Sequence, residues 1–208
     1  MPEEGRRDRR KRLTRTAIGE HGWRLFAAHG FDAVTIAQIA DAADVAVGTV
    51  FNYFPSKEAI LFDRAGDLIE DMAATVRERP PGVGVVAAFR DWHDRAIGFL
   101  TSPDAGERTR RMLEIVAASP ALRAHEREID QRYRQTLAAV LDELRHGRTD
   151  STPVLLAGQL VTLHRTVAEL ARDLILAGTP ARTVRTRVTT ATRAAFSLLS
   201  QQAHTFGS

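Results

Sequence analysis

The stretch Thr35–Lys57, TIAQIADAADVAVGTVFNYFPSK, decides how this chain is read. Thr35 stands where a helix N-cap belongs, and Ile36, Ile39 and Ala40 then form a one-sided apolar stripe. Asp44 and Val45 interrupt the pattern before a second short helical run from Ala46 to Asn52. Two short helices joined by a tight turn can hold the second away from the body, where its first residues enter a DNA major groove. Its side chains suit that task. Val47, Gly48, Thr49 and Asn52 are small or carry an amide, so the backbone can approach base edges. Thr49 fits a thymine methyl and Asn52 an adenine edge, while Val50 faces back toward Ile36, Ile39 and Ala40. Tyr53 offers a hydroxyl and Lys57 a cation, both suited to phosphate oxygens, which set register without reading sequence. A plainer reading has Phe51, Tyr53 and Phe54 merely sealing a small helical core, and Phe54 is assigned to the core in either case. A generic helix pair would not need Gly48, the aromatic cluster and the Pro55-Ser56-Lys57 boundary together.

Outward from this stretch, apolar residues recur at helical spacing almost throughout, and alternating strand patterns and Asn-Gly or Asp-Gly hairpin turns are missing. The chain is expected to be all-α. A first helix runs from about Arg9 to His29, ended by Gly30. Ser56 caps another that carries Ile60, Leu61, Leu68, Ile69 and Met72 to about Glu78, before Pro80, Pro81 and Gly82 break it. Breaks at Ser102-Pro103, Ser119-Pro120, Gly147–Pro153 and Gly178–Pro180 divide the remainder into five segments of helical length. This implies about nine helices, the later ones packed as an antiparallel bundle. The expected organisation is a flexible basic arm over 1–12, a three-helix DNA-binding head over 13–54 extending into a connecting helix over 56–78, and a larger bundle within 56–208.

The 208 residues are 44% hydrophobic, enough for one medium domain or a small module fused to a larger one. The formal net charge of +3 sits wholly in the first twelve residues, where six basic residues oppose three acidic ones. A basic arm before a neutral body is what a polyanion binder shows, although charged termini are often solvated tails. Having no cysteine removes disulfide scaffolds, thiol nucleophiles and cysteine zinc sites, and fits a reducing cytoplasm. The first residues are too charged for a signal peptide, and no apolar run approaches a membrane span, so a cytoplasmic protein without membrane partners is expected. Phosphate-loop and dinucleotide glycine patterns and nucleophile-elbow serines are missing, which argues against an enzyme and implies no cofactor. His125 with Glu126 and Glu128 comes nearest to metal spacing but lacks a second histidine in register, so no metal site is expected.

The run T-x-x-x-I-A-x-x-A-x-V-x-x-G-T-V-F-N-Y-F-P-S-K-E resembles the amino-terminal domain of the TetR/AcrR family of bacterial transcriptional regulators. The likeness extends back through Phe26, Gly30 and Phe31 and forward to Leu61, about the first third of the chain. It implies that Thr35 contacts phosphate at the start of the second helix. It makes Ala46–Asn52 the recognition helix, with Ala46, Val47, Gly48, Thr49, Phe51 and Asn52 at the DNA and Tyr53 and Lys57 clamping its backbone. Asp44 stands where the family usually has glycine and must tolerate a left-handed backbone. Ala46 stands where the family usually has serine, so one capping or phosphate-binding hydroxyl is absent.

The resemblance also implies a homodimer on a near-palindromic double-stranded operator and a small-molecule pocket in the carboxy-terminal bundle. Val154–Ala177 carries two apolar stripes, one through Leu156, Leu160, Leu163, Val167, Leu170 and Leu174, the other through Ala157, Val161, His164, Ala168, Ala171 and Ile175. The alanine-rich stripe is expected to meet a partner chain, together with Val184, Val188, Ala191, Ala195 and Leu198 of the last helix. Arg182, Arg185, Arg187 and Arg193 are expected either to pair with Glu169 or Asp173 or to form a solvated face. The candidate pocket residues are Phe89, Trp92, His93, Phe99, Met112, Tyr133, Leu137 and His164, which favour a hydrophobic or aromatic effector. The functional reading is a repressor released from its operator by that effector. An activator or ligand-independent DNA binder of the same fold, or a helical ligand carrier without DNA binding, remains as an alternative.

Overall fold

The computed structural model describes residues 5–102, 106–144 and 151–205. Among them every regular element is an α-helix: α1 (Arg6–His29), α2 (Ile36–Ala42), α3 (Val47–Tyr53), α4 (Lys57–Leu61), α5 (Ala65–Arg77), α6 (Val85–Leu100), α7 (Gly106–Ala118), α8 (Pro120–Glu143), α9 (Thr152–Leu176) and α10 (Ala181–Thr205). The all-α architecture with an early helix-turn-helix is as expected, and the five later segments are α6 to α10. The expected breaks at Pro103 and over 147–150 fall outside the described residues.

Two boundaries differ from the sequence reading. α1 begins at Arg6 and not at about Arg9, so that Arg7, Arg9, Arg10, Lys11 and Arg12 are exposed on its first turns, while residues 1–4 of the expected arm lie outside the described residues. The single helix expected over Ser56–Glu78 is two, α4 and α5, separated by turns at Phe62–Arg64. Ser56 does cap α4, its Oγ accepting from the Ala59 amide at 3.2 Å. No proline or glycine stops α4. Instead Asp63 is taken into an ion pair with Arg15 of α1, and the Phe62 ring lies 5.6 Å from that of His125.

The helices gather into two compact units. The first holds α1 to α4 with residues Glu114–His125, the end of α7 and the start of α8. Its core joins Ile18, Phe26, Phe31, Val34, Ile39, Val50, Phe54 and Ile60 to Ile115, Val116 and Leu122. Each such buried side chain contributes about 1.5–3 kcal/mol of transfer free energy, which is what orders the short helices. Ser119, itself buried, donates to Asp32 Oδ1 at 2.8 Å and fixes the α7–α8 turn to the loop after α1.

The second unit holds α5, α6, most of α7 and α8, and the α9–α10 hairpin, with Phe89, Trp92, Leu137, Leu160 and Ala171 among its buried residues. Arg165 of α9 pairs with Asp130 of α8 and, at 2.8 Å, with Glu169; Arg172 pairs with Glu126.

Gly22 marks the tightest approach in the first unit, because a Cβ there would stand 2.7 Å from Ile60 Cγ2. Gly22→Ala is expected to cost about 1–3 kcal/mol in urea unfolding through overpacking. Unchanged stability would mean that α4 yields freely.

Candidate nucleic-acid interface

The site is built from its caps inward. Thr35 Oγ1 accepts from the Gln38 amide at 3.2 Å while Gln38 Oε1 accepts from the Thr35 amide at 2.8 Å, a reciprocal capping box that starts α2. The turn closes where Val45 N–H donates to Ala40 O at 3.0 Å. Asp44 takes φ +52°, the left-handed conformation expected of it. Ala46, at the N-cap of α3, supplies no side-chain cap.

Only Val50 of α3 is fully buried, against the first unit's core. The opposite side is left open: Val47 is 43% and Phe51 52% exposed, with Gly48 and Asn52 also exposed and Thr49 partly so. A Cβ at Gly48 would meet nothing within 4 Å, so the chain's own packing does not require glycine there. An exposed aromatic and an exposed aliphatic beside an amide side chain form a surface that self-packing does not explain.

Sequence reasoning missed the residue that holds the end of α3. Arg15 Nη1 donates to the Tyr53 carbonyl at 2.9 Å, and its guanidinium lies 4.6 Å from the centre of the Phe54 ring while pairing with Asp63. An arginine in an amphipathic helix carries no signal of a partner 38 residues away. Lys57 is also more committed than expected. Its Nζ donates to the carbonyls of Phe31 at 2.9 Å and Val34 at 2.8 Å and sits 4.2 Å over the Phe31 ring, which leaves one N–H for a phosphate.

In the second unit, five of the eight candidate pocket residues come together. Trp92 lies 5.2 Å from Phe89, 5.5 Å from Tyr133 and 4.7 Å from His164 between ring centres, and His93 meets His164 edge-on. Leu137 is fully buried. Met112 is partly buried, and Phe99 is 66% exposed and thus no part of a buried pocket. His93 Nδ1 and His164 Nδ1 stand 3.0 Å apart, and His93 Nε2 is 3.2 Å from Thr192 Oγ1. Buried Trp92 Nε1 has no acceptor among the described residues. Burial, helped by the Arg90 charge, lowers the His93 pKa to about 4; burial and then His93 lower that of His164.

The expected partner-facing stripe needs correction. Ala157, Val161, Val184 and Val188 are buried within this chain, Val184 and Val188 against Val167 and Ala171, and so cannot meet a second copy. Ala168, Ile175, Ala191 and Ala195 remain partly exposed. Leu198 is 62% exposed, and the antiparallel course of α9 and α10 brings it to the same end of the hairpin as Val154 and Leu155, 65% and 63% exposed.

A capped helix, a tight turn and a second helix presented by a small core define a helix-turn-helix DNA-binding protein. A family model described as bacterial regulatory proteins of the tetR family matches residues 18–63. A Mycobacterium tuberculosis protein provisionally named mycofactocin biosynthesis transcriptional regulator MftR is 30% identical over 151 residues, 72% of this chain and 74% of its own. The transcriptional repressor AcnR of Corynebacterium efficiens is 30% identical, over 66% of this chain and 70% of its own. In fold, the chain is similar to SmeT in its complex with triclosan, with a TM-score of 0.57 at 18% identity, covering 88% of this chain and 91% of that one. The chain belongs to the tetR family of bacterial regulatory proteins and is a DNA-binding transcriptional regulator. Among the described residues no helix is long and apolar enough to cross a membrane.

Two outcomes are expected from this geometry. Gly48→Ala should stabilise the protein by about 0.5–1 kcal/mol through helix propensity, yet weaken DNA binding; equal or tighter binding would show that backbone approach at Gly48 is not used. The unfolded chain protonates its histidines near pH 6.5, whereas folded His93 stays neutral down to about pH 4. The stability this histidine contributes is therefore complete above about pH 6.5 and is lost as pH falls toward the folded value. Urea midpoints should drop across this range, and His93→Gln should flatten the slope; an unchanged slope would place its titration elsewhere.

Proposed function

We propose that the protein is a homodimeric repressor that leaves its operator when a small molecule binds in the carboxy-terminal bundle. The observation that carries the effector half is the buried aromatic and histidine cluster containing Trp92 Nε1, a donor without an acceptor among the described residues. A buried N–H left in this state costs about 1–3 kcal/mol, which a ligand acceptor recovers. The cluster of Phe89, Trp92, Tyr133 and the two histidines suits a hydrophobic or aromatic body with a polar handle. The repressor half is supported by relatives named as repressors, AcnR among them.

In this reading Thr49 and Asn52 read base edges, with Val47, Gly48 and Phe51 packed against the groove. Thr35, Tyr53, Lys57 and the backbone at Ala46 hold phosphates. Two copies join through the exposed parts of α9 and α10, where Leu198, Val154 and Leu155 add apolar area to Ala168, Ile175, Ala191 and Ala195. Their α3 helices then sit about one DNA turn apart on a near-palindrome. The effector weakens binding only by its differential affinity for the two protein states. The protein works in the cytoplasm, where operator and effector are both reachable.

Selection of bound duplexes from a random library yields the operator, and mobility shifts with that duplex test the reading. Asn52→Ala should cost about 1–3 kcal/mol at a single base pair, while Tyr53→Phe weakens all sequences alike. Coincident specificity profiles for the parent and Asn52→Ala would remove Asn52 from base reading. A monomer at working concentration in sedimentation would remove the paired-helix geometry. Tight DNA binding that no metabolite fraction reverses would favour a ligand-independent regulator.

A further inference from the structure

A groove of about 350 Å³ opens between α6 and α10, with Thr101 and Ser102 of the following turn in its lining. Its chemistry differs from that of the aromatic cluster. Among the described residues three arginines, Arg90, Arg185 and Arg193, border it against one acidic residue, Asp94. Asp94 lies 3.7 Å from Arg90 Nε and so orients that arginine. Among the described residues no acidic group pairs with Arg185 or Arg193, and Glu169, a carboxylate the sequence offered them, is held by Arg165. Ile97 and Val188 give the groove an apolar wall.

Thr192 ties this groove to the bundle interior. It lines the groove, is only 4% exposed, and its hydroxyl meets His93, which meets His164. The hydroxyl and two neutral imidazoles form a row in which each group holds a single mobile proton. The row has two self-consistent directions: Thr192 donates to His93 and His93 to His164, or His164 donates to His93 and His93 to Thr192. An oxyanion only accepts. Bound in the groove, it draws the Thr192 proton to itself, so the Thr192 oxygen must accept from His93 and the row takes the second direction. His93 then carries its proton on Nε2 and His164 on Nδ1. Each ring ends with the one proton it began with: a proton enters His93 Nε2 from groove water through the Thr192 hydroxyl, the His93 Nδ1 proton passes to His164 Nδ1, and the His164 Nε2 proton leaves to water.

We propose that this groove holds the anionic group of the effector, a carboxylate or phosphate on a partly apolar body, with Arg90, Arg185 and Arg193 supplying the charge and Thr192 reporting its arrival to the His93–His164 pair. The assignment rests on the effector reading above and names the ligand class. Charge-assisted hydrogen bonds from paired guanidinium groups are the strong kind, and arginine's fork matches both oxyanions.

The test uses the full-length, DNA-free protein titrated calorimetrically with benzoate, inorganic phosphate and neutral benzamide. Saturable binding of benzoate, phosphate or both, without benzamide, is expected, and which anion binds identifies the group. The double variant Arg185→Ala/Arg193→Ala, altered only at exposed positions, should melt like the parent and lose about tenfold or more in anion affinity. Nitrogen-15 spectra of the histidine rings should show Nδ1 and Nε2 of both residues exchanging character on anion addition, and Thr192→Val should abolish that exchange. Absence of anion binding, or equal affinity in the double variant, overturns the site. Binding with unchanged ring tautomers overturns the role of Thr192. Anion binding that leaves the operator complex intact counts against the effector reading while the groove stands. Operator release by an uncharged compound, with no anion bound, does the reverse.

Discussion

A seven-residue helix does not hold itself together in water, so α3 depends on what is fastened at each of its ends. Val50 sinks into the core of the first unit, and the carbonyl at the last residue of α3, Tyr53, is held by Arg15. Lys57 binds the two carbonyls of the segment that leads into α2. With these attachments made, the other side of the helix is free to carry residues that packing does not require. That is why Val47 and Phe51 remain exposed without destabilising a core they do not serve.

The first unit is not a continuous piece of chain. Ile115, Val116 and Leu122 arrive from α7 and α8 to complete a core begun by α1 to α4, and the Ser119–Asp32 hydrogen bond secures the turn between those helices. The DNA-reading unit would lack part of its apolar interior if it ended after α4. The same segment explains why α4 stops: the Phe62 ring is occupied with His125 and Asp63 with Arg15. The chain there follows tertiary partners, whereas the local sequence would support a longer helix.

Much of the reading head was legible beforehand because its signals are local. Thr35 with Gln38, Gly30 after α1, Asp44 in the turn and Ser56 before α4 each act through neighbours within a few residues. The bundle was legible as helices, and its aromatic cluster was largely anticipated from large or polar-tipped residues on apolar faces. The sidedness of α9 and α10 was not. Two apolar stripes imply two packing partners, but Val184 and Val188 face their own chain while Leu198 does not. Phe99 reads like its neighbours Phe89 and Trp92 in the sequence, yet it lies on the exposed side.

By itself the sequence determined the all-helical class, the helix-turn-helix and which side of its second helix faces outward, because capping, turn chemistry and helical periodicity are short-range properties of a chain. Only the tertiary structure decided which arginine supports the second helix of the motif, that Lys57 is partly spent on backbone carbonyls, and that Arg185 and Arg193 of α10 border a groove in which Asp94 lies beside Arg90. Those outcomes depend on side chains meeting across tens of residues, and a one-dimensional pattern carries no information about which of several equally charged or equally apolar groups will meet.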